Sequence, residues 1–292
     1  MNLRSKGYSI FQAVNFLFML LVVAVTLYPL LYMFALSFSS NTAILTGKVF
    51  LWPVDFTLRP YMRIIEQKDF WTGYRNTIVY TVTGTAVGLF MTVLCAYPLS
   101  KKHLFGRKLL LKMMVFTMYF GGGLVPTYLL VNSLKMTDKI WALIIPGAIS
   151  VYNMLVMRTF FEGLPQSLEE AAAIDGMNQL GILMKIILPL SKPILATIGL
   201  FFAVWFWNDW FYPLIYLNDG KKYPVTLFLR NVIMGSQMAA KNGQALDSGS
   251  SVVMPQSLQA ATVMLVTVPI LLVYPFIQKY FVQGVMIGSI KE

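Results

Sequence analysis

The chain has 292 residues, of which 57 % are hydrophobic and 12 % are charged, and its formal net charge is +11 at pH 7. This composition excludes an ordinary soluble globular protein, in which about a quarter of the residues are charged. The positive charge does not indicate nucleic acid binding, because the basic residues cluster near the ends of apolar stretches, beside expected anionic headgroups. The single cysteine, Cys95, excludes an intrachain disulfide.

Apolar stretches long enough to cross a bilayer, which takes about 18 to 20 residues, recur along the chain. They predict an all-α, polytopic membrane protein, with one transmembrane domain over 1–292. We interpret the first stretch as an uncleaved span kinked near Pro29, because its apolar part is too long for a secretory signal. The six predicted spans lie at about 11–38, 76–100, 113–130, 140–157, 193–217 and 258–277.

The second span contains small residues, and the third contains glycines and a proline that interrupt helices. Gly84, Thr85 and Gly88 in the second span predict close helix packing. The third span contains FGGGLVPTY at 120–128, which lacks the Lys-Ser or Lys-Thr of a phosphate loop and instead predicts a broken helix.

Two loop regions carry most of the remaining polar character. Five basic residues between Lys101 and Lys112 surround the only histidine, His103, and predict a cytoplasmic loop that anchors the chain. A polar region at 219–256, Gly/Ser-rich at 242–251, is predicted to lie on the outer side and to be partly flexible.

The stretch from Pro165 to Pro193 predicts a short helix with marked ends, between two apolar segments. Ser167 followed by Glu170 matches a capping box, and Gly176 is placed where a left-handed residue would end the helix. Its alanines favour close packing against another protein.

The fifth span contains VWFWNDWFYPLIYL at 204–217, where polar groups stand among aromatic rings. A carboxylate within a membrane segment is a functional candidate, and aromatic rings stack on the apolar faces of sugars. The same residues also fit an aromatic belt at the outer interface, with Asp209 solvated there. The candidate path residues are Trp205, Trp207, Asn208, Asp209, Trp210 and Tyr212, with Asn153 from the fourth span.

The spacing Glu170-Ala171-Ala172, Gly176 and Ile186-x-Leu188-Pro189 resembles the EAA signature of ABC importer permeases and matches it at every fixed position. The whole chain is similar to the carbohydrate (MalG-like) branch of that family, and within it to the LplC/YtcP-like type for complex oligosaccharides. The stretches that carry this wider similarity are WND at 207–209, FGGGLVPTY at 120–128 and FVQGVMIGSIKE at 281–292.

This resemblance implies a type I importer permease fold with six spans and a cytoplasmic coupling loop at 158–192. It implies a multi-pass subunit of the bacterial cell membrane with both termini in the cytoplasm. The implied partners are a second homologous permease, an ATPase dimer that binds ATP and Mg, an extracytoplasmic sugar-binding protein, an oligosaccharide and membrane lipid. The residues that the resemblance assigns to ATPase coupling are Glu169, Glu170, Ala171, Ala172, Asp175, Gly176, Ile186, Leu188 and Pro189.

No catalytic residue, metal ligand or cofactor is predicted in the chain itself. It has no G-x-x-x-x-G-K-[ST] pattern, so any ATP that drives it must bind another chain. The alternative is a secondary transporter driven by an ion gradient, supported only by Asp209 and the glycine-broken third span. A membrane-embedded enzyme is a further alternative, for which Asp209 stands nearly alone.

Overall fold

The computed structural model describes residues 6–241 and 253–289, and the regular elements in these residues are helices. The predicted all-α class is confirmed for this part of the chain. The Gly/Ser-rich stretch 242–251 and the last three residues lie outside the described residues. The helices are α1 Lys6–Ser37, α2 Asn41–Leu45, α3 Arg59–Ile65, α4 Lys68–Ser100, α5 Arg107–Tyr119, α6 Leu124–Ser133, α7 Trp141–Ile144, α8 Val151–Glu162, α9 Gln166–Ile174, α10 Gln179–Leu190 with a π-turn at Leu183–Ile187, α11 Lys192–Asn208, α12 Phe211–Tyr216, α13 Val225–Lys241 and α14 Pro255–Ser289.

Three of the described helices are long and apolar enough to cross a membrane, and they lie in α1, α4 and α14. Two bent pairs also qualify if each counts as one span: α5 with α6, bent by 112°, and α10 with α11, bent by 82°. The described residues therefore hold three to five candidate spans, and the count of six stays a prediction. The apolar side chains of α1 from Ile10 to Leu31 are exposed, as expected for a helix that contacts lipid or another membrane chain.

The predicted break in the third span is confirmed at Phe120–Gly123, between α5 and α6. Gly123 adopts a φ of +86°, a backbone conformation that a residue with a Cβ rarely takes. The basic cluster differs from its prediction, because residues Arg107 to Lys112 form the first turns of α5 and do not lie in a loop.

The predicted span over 140–157 is not one continuous helix. The helix α7 ends at Ile144, and α8 begins only at Val151, where Ser150 Oγ accepts the N–H of Asn153 at 3.3 Å. Pro146 explains the interruption, because a proline has no N–H to donate and its ring clashes with the carbonyl four residues earlier. The fifth predicted span is also interrupted, since α11 ends at Asn208 and α12 begins at Phe211.

The helices form two compact units, and the first comprises the described residues within Met1–Phe70 and Leu229–Val268. Its apolar core joins the end of α1 to the loop after it and to Ala260 of α14. Polar groups at the end of α1 hold that loop in place: Ser39 Oγ accepts the N–H of Val54 at 3.0 Å, and Tyr61 donates to Ser37 at 2.8 Å.

The second unit comprises the described residues within Trp71–Phe228 and Pro269–Glu292. The predicted close packing at Gly84 and Gly88 is confirmed, because aromatic rings of α11 lie directly over both glycines of α4. A Cβ added at Gly84 would come within 2.5 Å of Phe206, and one at Gly88 within 2.8 Å of Phe202. These contacts fix α4 against α11 through the centre of the unit's core.

The N-terminal end of α4 holds the segment between α12 and α13. Asn76 donates to the carbonyl of Lys221 at 2.7 Å, and Thr77 Oγ1 accepts the N–H of Val225 at 2.9 Å. An ion pair between Lys222 and Asp138 ties the same segment to the loop after α6. The N-terminal end of α4 thus anchors this loop region, and its C-terminal end contacts the predicted coupling loop.

Candidate coupling surface and substrate path

The helix α9 contains four of the predicted coupling residues, from Glu169 to Ala172, and it begins at Gln166, before the predicted cap Ser167. Its N-cap is Pro165, and no side chain caps its first turn, so the predicted capping box of Ser167 and Glu170 is not formed. Ser167 lies inside the helix, because the carbonyl of Pro165 already accepts the first N–H of the turn, from Leu168 at 3.2 Å. The first turn of α9 therefore forms after Pro165 without a hydrogen bond from a serine side chain.

The C-terminal end of α9 is formed as predicted. Gly176 adopts a φ of +78°, the N–H of Met177 reaches the carbonyl of Ala172 at 3.0 Å, and that of Gly176 reaches Ala173 at 3.0 Å. Both bonds together make a Schellman motif, which satisfies carbonyl groups that a helix end otherwise leaves without partners. The motif gives α9 a defined length of nine residues.

The two faces of α9 differ in burial. Ala172 is 5 % exposed and packs in the apolar core of its own chain, so it does not belong to a free surface. On the opposite face Ile174 is 86 % exposed, and Glu170 and Ala171 are exposed beside it. These three residues therefore lie on the face of α9 that its own chain leaves uncovered.

The remaining predicted coupling residues divide in the same way. Asp175, Gly176 and Pro189 are exposed. Ile186 and Leu188 are partly buried and pack against the apolar core, where they hold α10 in place. They contact the interior of their own chain.

Ion pairs connect α9 to Lys101, the residue after α4, and connect α8 to α5. Glu169 of α9 pairs with Lys101, and both side chains are 17 % exposed. Glu162 at the end of α8 pairs with Arg158 at 2.7 Å and with Arg107 of α5. Partial burial strengthens such pairs compared with fully exposed ones, because less water screens the charges.

A cavity of about 490 Å³ brings together two of the predicted path residues, Asn153 of α8 and Trp205 of α11. Asn153 is buried, whereas Trp205 is 40 % exposed. The indole lies against Gly147, where an added Cβ would come within 2.7 Å of it. The cavity is lined by Gly147, Ile149, Ser150, Tyr152, Asn153, Phe201, Phe202 and Trp205.

Two of the other predicted path residues bond to their own backbone. Asn208 donates to the carbonyl of Val204 at 2.8 Å. Asp209 Oδ1 accepts the N–H groups of Phe211 at 3.1 Å and Tyr212 at 3.2 Å, a local turn that starts α12. These bonds give both side chains a structural role at the break between α11 and α12.

The aromatic rings around this break contact two different parts of the structure, the cavity wall and α4. Tyr212 stands 6.0 Å from Trp205, ring centre to ring centre, and so extends the aromatic wall beside the cavity. Trp207 lies instead edge-on to Tyr74 of α4 at 6.2 Å. Trp210 is 43 % exposed and stands edge-on to Phe211 at 5.7 Å.

No protein-family model matches the chain. The chain is 43 % identical to Protein LplC of Bacillus subtilis (strain 168), over 98 % of this chain and 97 % of LplC. It is 40 % identical to the polygalacturonan/rhamnogalacturonan transport system permease protein YtcP of the same organism, over 97 % of this chain and 98 % of YtcP.

A solved chain from a bacterial ABC transporter involved in the import of the acidic polysaccharide alginate matches the fold with a TM-score of 0.88 and 36 % identity. The match covers 96 % of this chain and 100 % of the solved chain. This chain belongs to the permease subunits of carbohydrate ABC importers. The permease is therefore a membrane protein and a transport subunit rather than an enzyme, and the comparisons give an ion-gradient mechanism no support.

Sequence reasoning missed several residues of the permease that the structure places at these sites. Lys101 and Arg107 were predicted only as anchors, yet each pairs with a carboxylate of the coupling region. Ser150 and Tyr152 line the cavity beside Asn153. The density of basic residues after the second span was the available signal, but a sequence does not show which acidic residue each one meets. Within residues 6–241 and 253–289, no group of three His, Cys, Asp or Glu side chains could hold a metal ion.

Proposed function

We propose that this permease imports an acidic oligosaccharide and that the exposed face of α9 docks on a separate ATPase. The substrate class is supported by the two relatives named for polygalacturonan/rhamnogalacturonan and for alginate, all of them acidic polymers. The docking role is supported most directly by Ile174, an apolar side chain 86 % exposed on a helix whose opposite face is packed.

The complete transporter contains this permease, a second homologous permease, an ATPase dimer and an extracytoplasmic binding protein. ATP and Mg bind the ATPase chains, since this chain has no phosphate loop of its own. In the bacterial cell membrane the chain makes six spans, with both termini and the coupling loop in the cytoplasm. The basic residues from Lys101 to Lys112, in the connection after α4 and the first turns of α5, support this orientation, because Lys and Arg near the ends of spans favour the cytoplasmic side.

The substrate path runs beside the cavity of Asn153 and Trp205. An amide and an indole are suited to a sugar, because the amide hydrogen-bonds hydroxyl groups and the aromatic face stacks on the apolar face of the ring. Tyr152, 56 % exposed at the same cavity, adds a further aromatic ring and a hydroxyl.

Replacement of Ile174 by Asp tests the docking role. We expect the affinity for the ATPase to fall about thirtyfold, the effect of losing an interface anchor of about 2 kcal/mol, so that the tagged permease retains less ATPase on purification. Ile174→Leu is the matched control and is expected to retain the ATPase. Ala172→Asp is expected to act differently, lowering the yield of folded permease because it buries a charge in the core. Normal ATPase retention by Ile174→Asp would exclude this face as the docking surface.

A further inference from the structure

Tyr97 in the last turn of α4 and Lys101, the residue after the helix, contact the coupling segment on both sides of Gly176. Lys101 Nζ pairs with Glu169 of α9 and lies 4.3 Å from the centre of the Tyr97 ring. Tyr97 OH in turn donates to Oε1 of Gln179, the first residue of α10, at 3.3 Å. A cation over an aromatic ring and an ion pair to the same ammonium group hold its position from two directions.

A second set of contacts closes the C-terminal end of α4. The carbonyl of Leu99 accepts Nε of Arg107 at 2.8 Å and Nε of Arg158 at 3.1 Å, and both guanidinium groups also pair with Glu162. The last carbonyls of a helix lack partners within it and carry partial negative charge, which cations stabilise. The end of α4 is therefore fixed independently of the contact between Lys101 and Glu169.

The middle of α4 connects the C-terminal end of this helix to the core of the second unit. The helix is continuous over 33 residues, about 50 Å at the usual rise per residue. Gly84 and Gly88 hold it against Phe206 and Phe202 of α11, and Phe202 also lines the cavity of Asn153 and Trp205. Packed side chains thus connect the end of α4 to the wall of the cavity.

We propose that Lys101 and Tyr97 are positioning residues that latch α9 to α4, so that movement of α9 by the ATPase is transmitted along α4 to the cavity. The inference rests on the proposed docking role of α9. The pair with Glu169 joins α9 to the end of α4 directly, whereas Ala172 joins it only to the general core. Glu169 faces its own chain in this arrangement, and the neighbouring Glu170 stays free for the docking surface.

The test uses the complete transporter in lipid nanodiscs, with Cys95→Ala and a single reporter cysteine at Tyr152. The labelling rate of that cysteine by a water-soluble maleimide is measured with and without MgATP and vanadate, which requires no knowledge of the sugar. In the parent we expect the nucleotide to change this rate. Lys101→Gln and Glu169→Gln are each expected to reduce the change by between about twofold and thirtyfold, while ATPase retention stays at the parent level.

Two further variants separate the ion pair from general packing. The exchange Lys101→Glu with Glu169→Lys restores opposite charges and is expected to recover the response. Lys102→Gln is the matched control, since Lys102 is exposed and forms no ion pair with the described residues. We expect it to respond like the parent.

The outcomes distinguish the latch from the docking role. A parent-like response of both single variants, or no recovery in the charge exchange, would overturn the latch. Loss of ATPase from the single variants would also overturn it, because the pair would then support docking rather than transmission. Retention of ATPase by Ile174→Asp, by contrast, would contradict the docking role itself.

Discussion

The carboxylate of Asp209 accepts two backbone N–H groups at the break between α11 and α12. The backbone carbonyl of Asp209 accepts the hydroxyl of Thr226 at 2.8 Å. Asparagine offers the same oxygen to both N–H groups, whereas alanine offers none. We therefore expect Asp209→Asn to keep the thermal stability of the purified complex and Asp209→Ala to lose about 1 kcal/mol, the usual effect of removing a cap.

Uptake of a galacturonate or alginate trisaccharide separates the structural role of Asp209 from a role in the path. If Asp209 has only a structural role, Asp209→Asn is expected to take up the trisaccharide at the parent rate. Lost uptake in that variant, at unchanged stability, would show that the negative charge itself contacts the substrate or its path.

A pH-dependent contribution to stability is expected at Asp138, in the loop after α6. The ammonium group of Lys222, and then the N–H groups of Asp219 and Asn218, lower the pKa of this carboxyl below its usual value. Because the folded pKa is lower than the unfolded pKa, the pair stabilises the fold above the unfolded pKa of about 3.9. That stability is lost as the pH falls from there through the folded pKa.

Thermal unfolding of the complex between pH 3 and 6 measures this effect. The parent is expected to lose stability below about pH 4, and Asp138→Asn is expected to lose less over that interval because it cannot titrate. Asp219→Asn provides a comparison at a neighbouring carboxylate, which accepts the N–H of Lys221 at 3.0 Å. Equal acid sensitivity of the parent and Asp138→Asn would exclude this carboxyl as its source.

At the scale of single elements, the end of α9 depends on the backbone conformation of Gly176. A Cβ added there meets no atom within 4 Å, so only its φ of +78° opposes substitution. Left-handed backbone costs a residue with a Cβ about 1 to 2 kcal/mol, and asparagine adopts it more readily than other residues. We expect hydrogen exchange in α9 to accelerate slightly in Gly176→Asn, more in Gly176→Ala and most in Gly176→Val.

Gly163 is the matched control, because it follows α8 with a φ of −82° that alanine adopts without strain. Gly163→Ala is expected to leave exchange in α9 unchanged. Equal exchange in Gly176→Val and the parent would show that the Schellman motif does not determine the end of the helix.

The elements also show how far the sequence predicted the fold and where it could not. Long apolar runs predicted α1, α4 and α14, and Gly176 predicted the end of α9, because both signals are local. The interruption at Pro146 was missed, since the surrounding residues are as apolar as those of a continuous span. The pair of Lys101 and Glu169 joins residues 68 positions apart, and no local pattern indicates such a contact.

At the scale of the whole molecule, the extent of exposed apolar surface requires partners. In addition to α1, the bent pair α5 and α6 exposes most of its large apolar side chains, and α5 has no buried residue. In membrane proteins, lipid or a second membrane chain covers surfaces of this kind, because exposing so much apolar surface to water is unfavourable. The exposed Ile174 adds one further uncovered apolar side chain, on α9.

The composition of the assembled transporter provides the last prediction. Because the chain lacks a phosphate loop, we expect the permease purified alone neither to bind ATP nor to transport a sugar. Gentle purification from its native membrane is expected to yield a complex with one second permease and two ATPase copies, and native mass spectrometry measures this composition. Ile174→Asp should shift the same spectrum towards the permease pair without ATPase, whereas Ile174→Leu should leave it unchanged. A homodimer of this chain that transports an oligosaccharide without any ATPase would contradict the prediction and the proposed function together.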